Sequence, residues 1–188
     1  MPKHALLVID VQNEYFDGKL PVTYPTDTLP RILATMDAAA EAGVPVVVVQ
    51  HGSTQPEART FREGSREWEL HPEIAARPHD LLLHKTKSGS FTGTGLEEWL
   101  REHEIENVVI SGYMTQMCCD TTARQASHRG FGATFLSDAT GTLAVSNVGG
   151  SVTAEELHRA ILVAQAMGLS AVMTADEWLA QLAETPAS

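Results

Sequence analysis

Cysteine is nearly missing: the 188-residue chain has two, and they are neighbours, Cys118 and Cys119. Adjacent residues almost never bridge one another, so no disulfide framework is available and the thiols point to a reducing compartment. Basic residues are scarce too, with 13 Lys and Arg against 24 Asp and Glu and a formal net charge of −11. Binding nucleic acid needs a basic face that releases counterions from phosphate, and docking on anionic lipid needs positive charge as well. Nucleic acid and membrane are both set aside as partners. No apolar run reaches the ~20 residues of a membrane-crossing helix. The start, Met1-Pro2-Lys3-His4, shows no signal-peptide cleavage pattern. Repeats, low-complexity tracts and interdomain linkers are also missing. What remains is a globular composition, 43% hydrophobic and 20% charged, expected to form a single cytoplasmic domain over residues 1–188.

Six apolar runs of strand length lie at 5–9, 44–49, 81–83, 108–110, 132–136 and 170–173. They are continuous rather than alternating, which suits strands buried on both faces, as in a parallel sheet. Helical patterns separate them at 28–42, 94–104, 117–128, 151–167 and 175–183, several stopped by a glycine. Ser151 and Thr153 are the expected caps of the fourth helix, with Glu155 and Glu156 in its first turn. The alternation predicts an α/β protein, a three-layer Rossmann-like fold whose six-stranded parallel sheet is flanked by helices. Residues 52–77 form the longest irregular stretch, of the kind that usually serves as a lid or binding loop.

Ligands of open parallel sheets bind at the carboxyl ends of the strands. Asp10 closes the first run, Lys85 follows the third, and Cys118 follows the fourth where a helix begins. Taken singly, each has a plain structural explanation: a turn aspartate, a solvated lysine, a small buried cysteine. Together at one sheet edge they suit nucleophilic catalysis. A helix start favours the thiolate, the carboxylate moves the thiol proton, and the ammonium holds the carboxylate. This reading expects the Cys118 pKa to lie below the ~8.5 of a free thiol. Backbone amides in the turn before Cys118 are placed to stabilise an oxyanion.

These residues resemble the isochorismatase-like cysteine hydrolases. The resemblance rests on Asp10-Val11-Gln12, on Lys85 followed by Ser88-Gly89-Ser90-Phe91, and on Gly112-x-x-Thr115-x-x-Cys118. It extends to Thr121-Thr122-Ala123-Arg124, to Ser137-Asp138-Ala139 and to Glu155-Glu156-Leu157-His158-Arg159, nearly the whole chain. The resemblance implies an Asp10–Lys85–Cys118 triad that hydrolyses a small carboxamide, carbamoyl or ureido C–N bond through an acyl-thioester. It also implies an oxyanion hole from the amides of Met114 and Cys118, a cis peptide between Tyr113 and Met114, and a homo-oligomer, dimer or larger. His158 is expected to be structural.

Within such a family, enzymes that open the vinyl ether of isochorismate usually lack the cysteine, so Cys118 favours amide chemistry. Nicotinamidases of the family carry a metal at an Asp-x-His after strand two. Here the run ends Val49-Gln50-His51, and His51, His71, His79 and His84 match no compact ligand motif, so no metal or other cofactor is expected. Residues 61–72 resemble the family's variable substrate loop. Gln12, Phe16, Trp68, Phe91 and Tyr113 are the candidate pocket residues, though Trp68 is equally suited to pinning the loop or meeting a neighbouring subunit. Arg62 and Arg66 either meet an anionic substrate or pair with the loop's glutamates. Cys119 points about 100° away from Cys118 on a helix and is expected in the core. Two alternatives stay open: vinyl ether hydrolysis without a thioester, and a thiol redox or ligand-binding protein on the same fold.

Overall fold

The computed structural model describes residues 3–184. Its strands are β1 (His4–Ile9), β2 (Val46–His51), β3 (Leu81–Lys85), β4 (Asn107–Tyr113), β5 (Gly132–Gly141), β6 (Val145–Asn147), β7 (Gly150–Val152) and β8 (Ala171–Met173). The helices are α1 (Thr28–Glu41), α2 (Pro72–Ala75), α3 (Leu96–Glu102), α4 (Asp120–His128), α5 (Ala154–Ala166) and α6 (Ala175–Ala183). Six strands form one parallel sheet in the order β3-β2-β1-β4-β5-β8, while β6 and β7 pair as a separate antiparallel hairpin.

The continuous apolar runs have a direct cause: both faces of the sheet are covered. Along β1, Ala5, Leu7 and Ile9 enter a core shared with α3 and α4, while Leu6 and Val8 enter one shared with α1 and α6. Fully burying one such aliphatic side chain contributes about 1.5–3 kcal/mol, and every residue of β1 from Ala5 to Ile9 is fully buried. The three-layer α/β fold is therefore as expected.

Boundaries differ for local reasons. β2 starts at Val46 because Pro45 has no N–H and the Val44 amide is bonded to the Ala39 carbonyl at the end of α1. β4 and β5 continue past their apolar residues, with Ser111 bonded to the Leu7 carbonyl and Thr140 to the Leu136 carbonyl. The fourth expected helix begins three residues late. Thr153 and Glu156 form its capping box, and Ser151 belongs to β7, where its hydroxyl meets Ser146. The helix expected at 117 opens earlier, with a π-helical turn over Thr115–Cys119 that runs into α4. α6 matches its expected span, opened by a second capping box of Thr174 and Glu177.

From β1 the chain winds outward through β2 and β3; from β4 it winds the other way through β5 and β8. The reversal opens a crevice at the carboxyl ends of β1 and β4, where such sheets bind ligands.

Candidate active site

β1 ends at Ile9, and Asp10 turns out of the strand with φ 54°, a left-handed conformation that aspartate tolerates better than most residues. Its amide stays bonded to the Val49 carbonyl at 2.8 Å, so the turn is fixed to β2. Beside it, Gly112 has φ 108°, and a Cβ there would lie 2.0 Å from the Ile9 carbonyl oxygen. Only glycine lets β4 approach β1 this closely at the crevice. The register of β2 and β3 pairs His51 with Lys85, which places both side chains at the same edge.

The three expected residues meet. Lys85 Nζ donates to Asp10 Oδ2 at 2.7 Å and to Cys118 Sγ at 3.2 Å, and its third neighbour is His51 Nδ1 at 3.4 Å. The Asp10 and Lys85 side chains are 0% exposed and Cys118 is 6% exposed. Asp10 Oδ1 is buried without a hydrogen-bond partner. A buried ion pair with an open acceptor is poor evidence of a stabilising device, because desolvating both charges offsets their attraction. It suits a site that must receive a proton.

The Cys118 thiol departs from expectation. Burial first, and the Asp10 carboxylate second, push its pKa well up, with Lys85 opposing. The helix-start amides favour the thiolate, but loss of solvent outweighs them, so the shift runs upward rather than below the free-thiol value. Burial alone would lower the Lys85 pKa, but the Asp10 carboxylate, with the Cys118 sulfur as a further acceptor, outweighs it and holds the ammonium above its usual range. Burial, then Lys85, lowers the pKa of half-buried His51, keeping its ring neutral.

The turn after β4 is built as the resemblance implied: the Tyr113–Met114 peptide is cis. The Met114 carbonyl accepts from the amides of Met117 (3.1 Å) and Cys119 (3.2 Å). His158 of α5 holds this turn, with Nδ1 at 2.8 Å from the Thr115 hydroxyl and Nε2 at 2.8 Å from the Ser137 carbonyl. Cys119 is fully buried in the core.

The expected pocket residues separate. Tyr113 is buried, its hydroxyl at 2.8 Å from Thr28, and burial pushes its pKa up to about 12. Half-buried Phe16 lies against Tyr113 and His71. Gln12 is fully buried and is a clamp: its Nε2 donates to the carbonyls of His51 and Trp68, and its Oε1 accepts from the His51 amide. Trp68 stacks on His84, and its Nε1 is buried without a partner. Phe91 is buried in the same core cluster as Cys118. Its ring packs on Phe131 and under Arg129, and Phe131 immediately precedes β5, at the amino end of the strands. Arg66 pairs with Asp17 rather than with the loop's glutamates.

Sequence reading passed over three nearby side chains. His51 stands in the sequence only as one of four histidines that match no ligand motif. Tyr15 is buried, and burial, then its closeness to Cys118 and Asp10, raises its phenol pKa. Phe61 packs against both Tyr15 and His51 from the long loop. The end of the second strand was the one available signal for His51; nothing local marks the other two. The remaining loop histidines have separate tasks: His71 caps α2 and His79 bonds the Arg77 carbonyl. Where a nicotinamidase-type site needs an aspartate, this chain has buried Val49. Among the described residues no group of three or more His, Cys, Asp or Glu could hold a metal ion, and no helix is long and apolar enough to cross a membrane.

Comparison with known proteins gives a consistent picture. A family model described as the isochorismatase domain matches residues 4–177. Nicotinamidase 3 of Arabidopsis thaliana is 31% identical over 185 residues, covering 92% of this chain and 85% of that protein. The ureidoacrylate amidohydrolase RutB of Variovorax paradoxus (strain S110) is 27% identical over 170 residues, covering 72% of this chain and 68% of that protein. An isochorismatase-like crystal structure from Burkholderia xenovorans LB400 superposes with TM-score 0.95 at 42% identity, covering 100% of this chain and 91% of that one.

Proposed function

The chain belongs to the isochorismatase family of hydrolases, and within it we propose a cysteine-dependent amidohydrolase acting on a small carboxamide, carbamoyl or ureido compound. The observation that carries this reading is the buried chain of contacts from Asp10 through Lys85 to Cys118, with Asp10 Oδ1 left as an open acceptor. The similarity to a nicotinamidase and to a ureidoacrylate amidohydrolase supports C–N hydrolysis.

In this mechanism the thiol proton passes to Asp10 as Sγ attacks the carbonyl carbon. Burial opposes ionisation of the thiol, so in this mechanism proton removal accompanies attack. The carbonyl electron pair moves to oxygen. An ammonium has three protons, and Lys85 has three protein neighbours. No Lys85 proton is left for the oxyanion, so stabilisation falls to the amides of Met114 and Cys118. Collapse breaks the C–N bond, Asp10 returns the proton to the departing amine, and an acyl-thioester remains. Water, deprotonated by Asp10, attacks the thioester and releases the acid, and Cys118 recovers its proton. Lys85 balances the charge of carboxylate and thiolate throughout. The same reading takes the protein as a cytoplasmic homo-oligomer, dimer or larger.

A panel of small amides assayed for ammonia release, with Cys118→Ala as control, tests the reading. Release that disappears in Cys118→Ala is the expected result. Turnover that survives in Cys118→Ala overturns it in favour of hydrolysis without a thioester. No release from any amide, with Cys118 instead forming a stable sulfenic acid, overturns it in favour of a redox thiol.

A further inference from the structure

We infer that His51 is a positioning residue for Lys85: its Nδ1 accepts the third proton of the Lys85 ammonium and so fixes the other two on Asp10 and Cys118. The register of β2 and β3 sets His51 directly across from Lys85, and the Nζ to Nδ1 distance is 3.4 Å. The His51 backbone cannot drift, because its amide and carbonyl are both bonded to the Gln12 side chain, each at 2.9 Å. Its ring is held from the loop side by Phe61, with centroids 5.2 Å apart and planes at 79°.

Proton accounting then assigns the tautomer. Lys85 Nζ is a donor only, so Nδ1 must be the bare nitrogen of a neutral ring and Nε2 carries the hydrogen. A lysine ammonium is a point charge with three rotatable donors on a four-carbon stem, so each further acceptor narrows its orientation. Without His51, one proton of a buried charge has no partner, and the ammonium can turn away from Sγ. The thiolate that forms during attack then loses its closest positive charge. His51 thus acts on the nucleophile through Lys85.

Three measurements test this on the intact protein. His51→Ala should slow iodoacetamide alkylation of Cys118 by about 10- to 100-fold, the effect of one hydrogen bond to a charged group. His51→Asn, whose Oδ1 can occupy the Nδ1 position but cannot take a proton in this pH range, should recover most of that loss. In turnover, the Ala variant should lose kcat with KM nearly unchanged. Alkylation of His51→Ala at the wild-type rate overturns the inference, as does an Asn variant as slow as Ala while keeping the wild-type melting temperature. A rise in KM at constant kcat also overturns it and makes His51 a substrate contact. The kinetic arm rests on the amidohydrolase reading, whereas alkylation needs no substrate. A protein that turns over no amide but shows the Ala and Asn pattern in alkylation would refute that reading and leave the role of His51 standing.

Discussion

Two excursions leave the sheet, and they are built in opposite ways. The loop between β2 and α2 has almost no regular structure, yet it is tied down along its length. The Asn13 and Glu14 amides bond to the carbonyls of Glu69 and Glu67 at 2.9 and 2.8 Å, and the His71 amide bonds to the Val11 carbonyl at 2.9 Å. Side chains add more: Gln12 and Gln50 both donate to the Trp68 carbonyl, and Asn13 donates to that of Arg66. Buried Glu14 takes the amides of Lys19 and Phe61. The β6–β7 hairpin is the reverse case, regular in its pairing but exposed, with Val148 fully open at its tip. Regular pairing is therefore a poor guide to burial and anchoring here. The strip just after Asp10 fixes the loop, and the loop carries Phe61 to His51 and Tyr15.

The largest difference between the regions should come from the charge beneath the loop. Asp10→Asn should abolish turnover, and it should also lower stability by about 3–5 kcal/mol because Lys85 is left buried without its counter-ion. Chemical denaturation with an activity assay measures both. Gln12→Ala should cost less, about 1–3 kcal/mol for the buried groups left unpaired. It should also raise KM, since Trp68 is released, and loop cleavage by protease should speed up. A stability profile against pH adds a signed test at the other wall of the site. Burial holds the His158 pKa below the usual 6.5, so the fold keeps the ring neutral. Below pH 6.5 the unfolded chain takes up the proton first. Stability from this residue is complete above 6.5 and is lost as pH falls through the lowered folded value. His158→Gln should flatten that acid limb of the melting temperature. Val148→Ser should change stability by no more than ~0.5 kcal/mol, as for an exposed side chain with no special contact. A large effect there would erase the contrast between the two excursions.

Much of this was legible in the sequence, for reasons that also explain what was not. The continuous apolar runs gave six parallel strands because burial on both faces leaves no alternation to read. The glycines after α1 and α4 and the threonines before α5 and α6 marked ends through local chemistry. Asp10, Lys85 and Cys118 could be placed at one edge because strand ends in such a fold converge. The position of Phe91 after Lys85 says nothing of the direction its ring takes, and only the fold shows it against Phe131 and Arg129. Gln12 stands beside the site as expected, but only the folded loop shows that its amide is bonded to backbone. His51 needed the β2–β3 register, and the Cys118 pKa needed the burial of the whole crevice; both depend on residues distant in sequence.

The most direct test of the central claim is mass spectrometry of the protein quenched during turnover of an amide it hydrolyses, with fragment ions resolving the two adjacent cysteines. A single acyl mass on Cys118 and none on Cys119 is the result this account predicts. Turnover with no acyl mass on Cys118 at any quench time, and undiminished in Cys118→Ala, would contradict it.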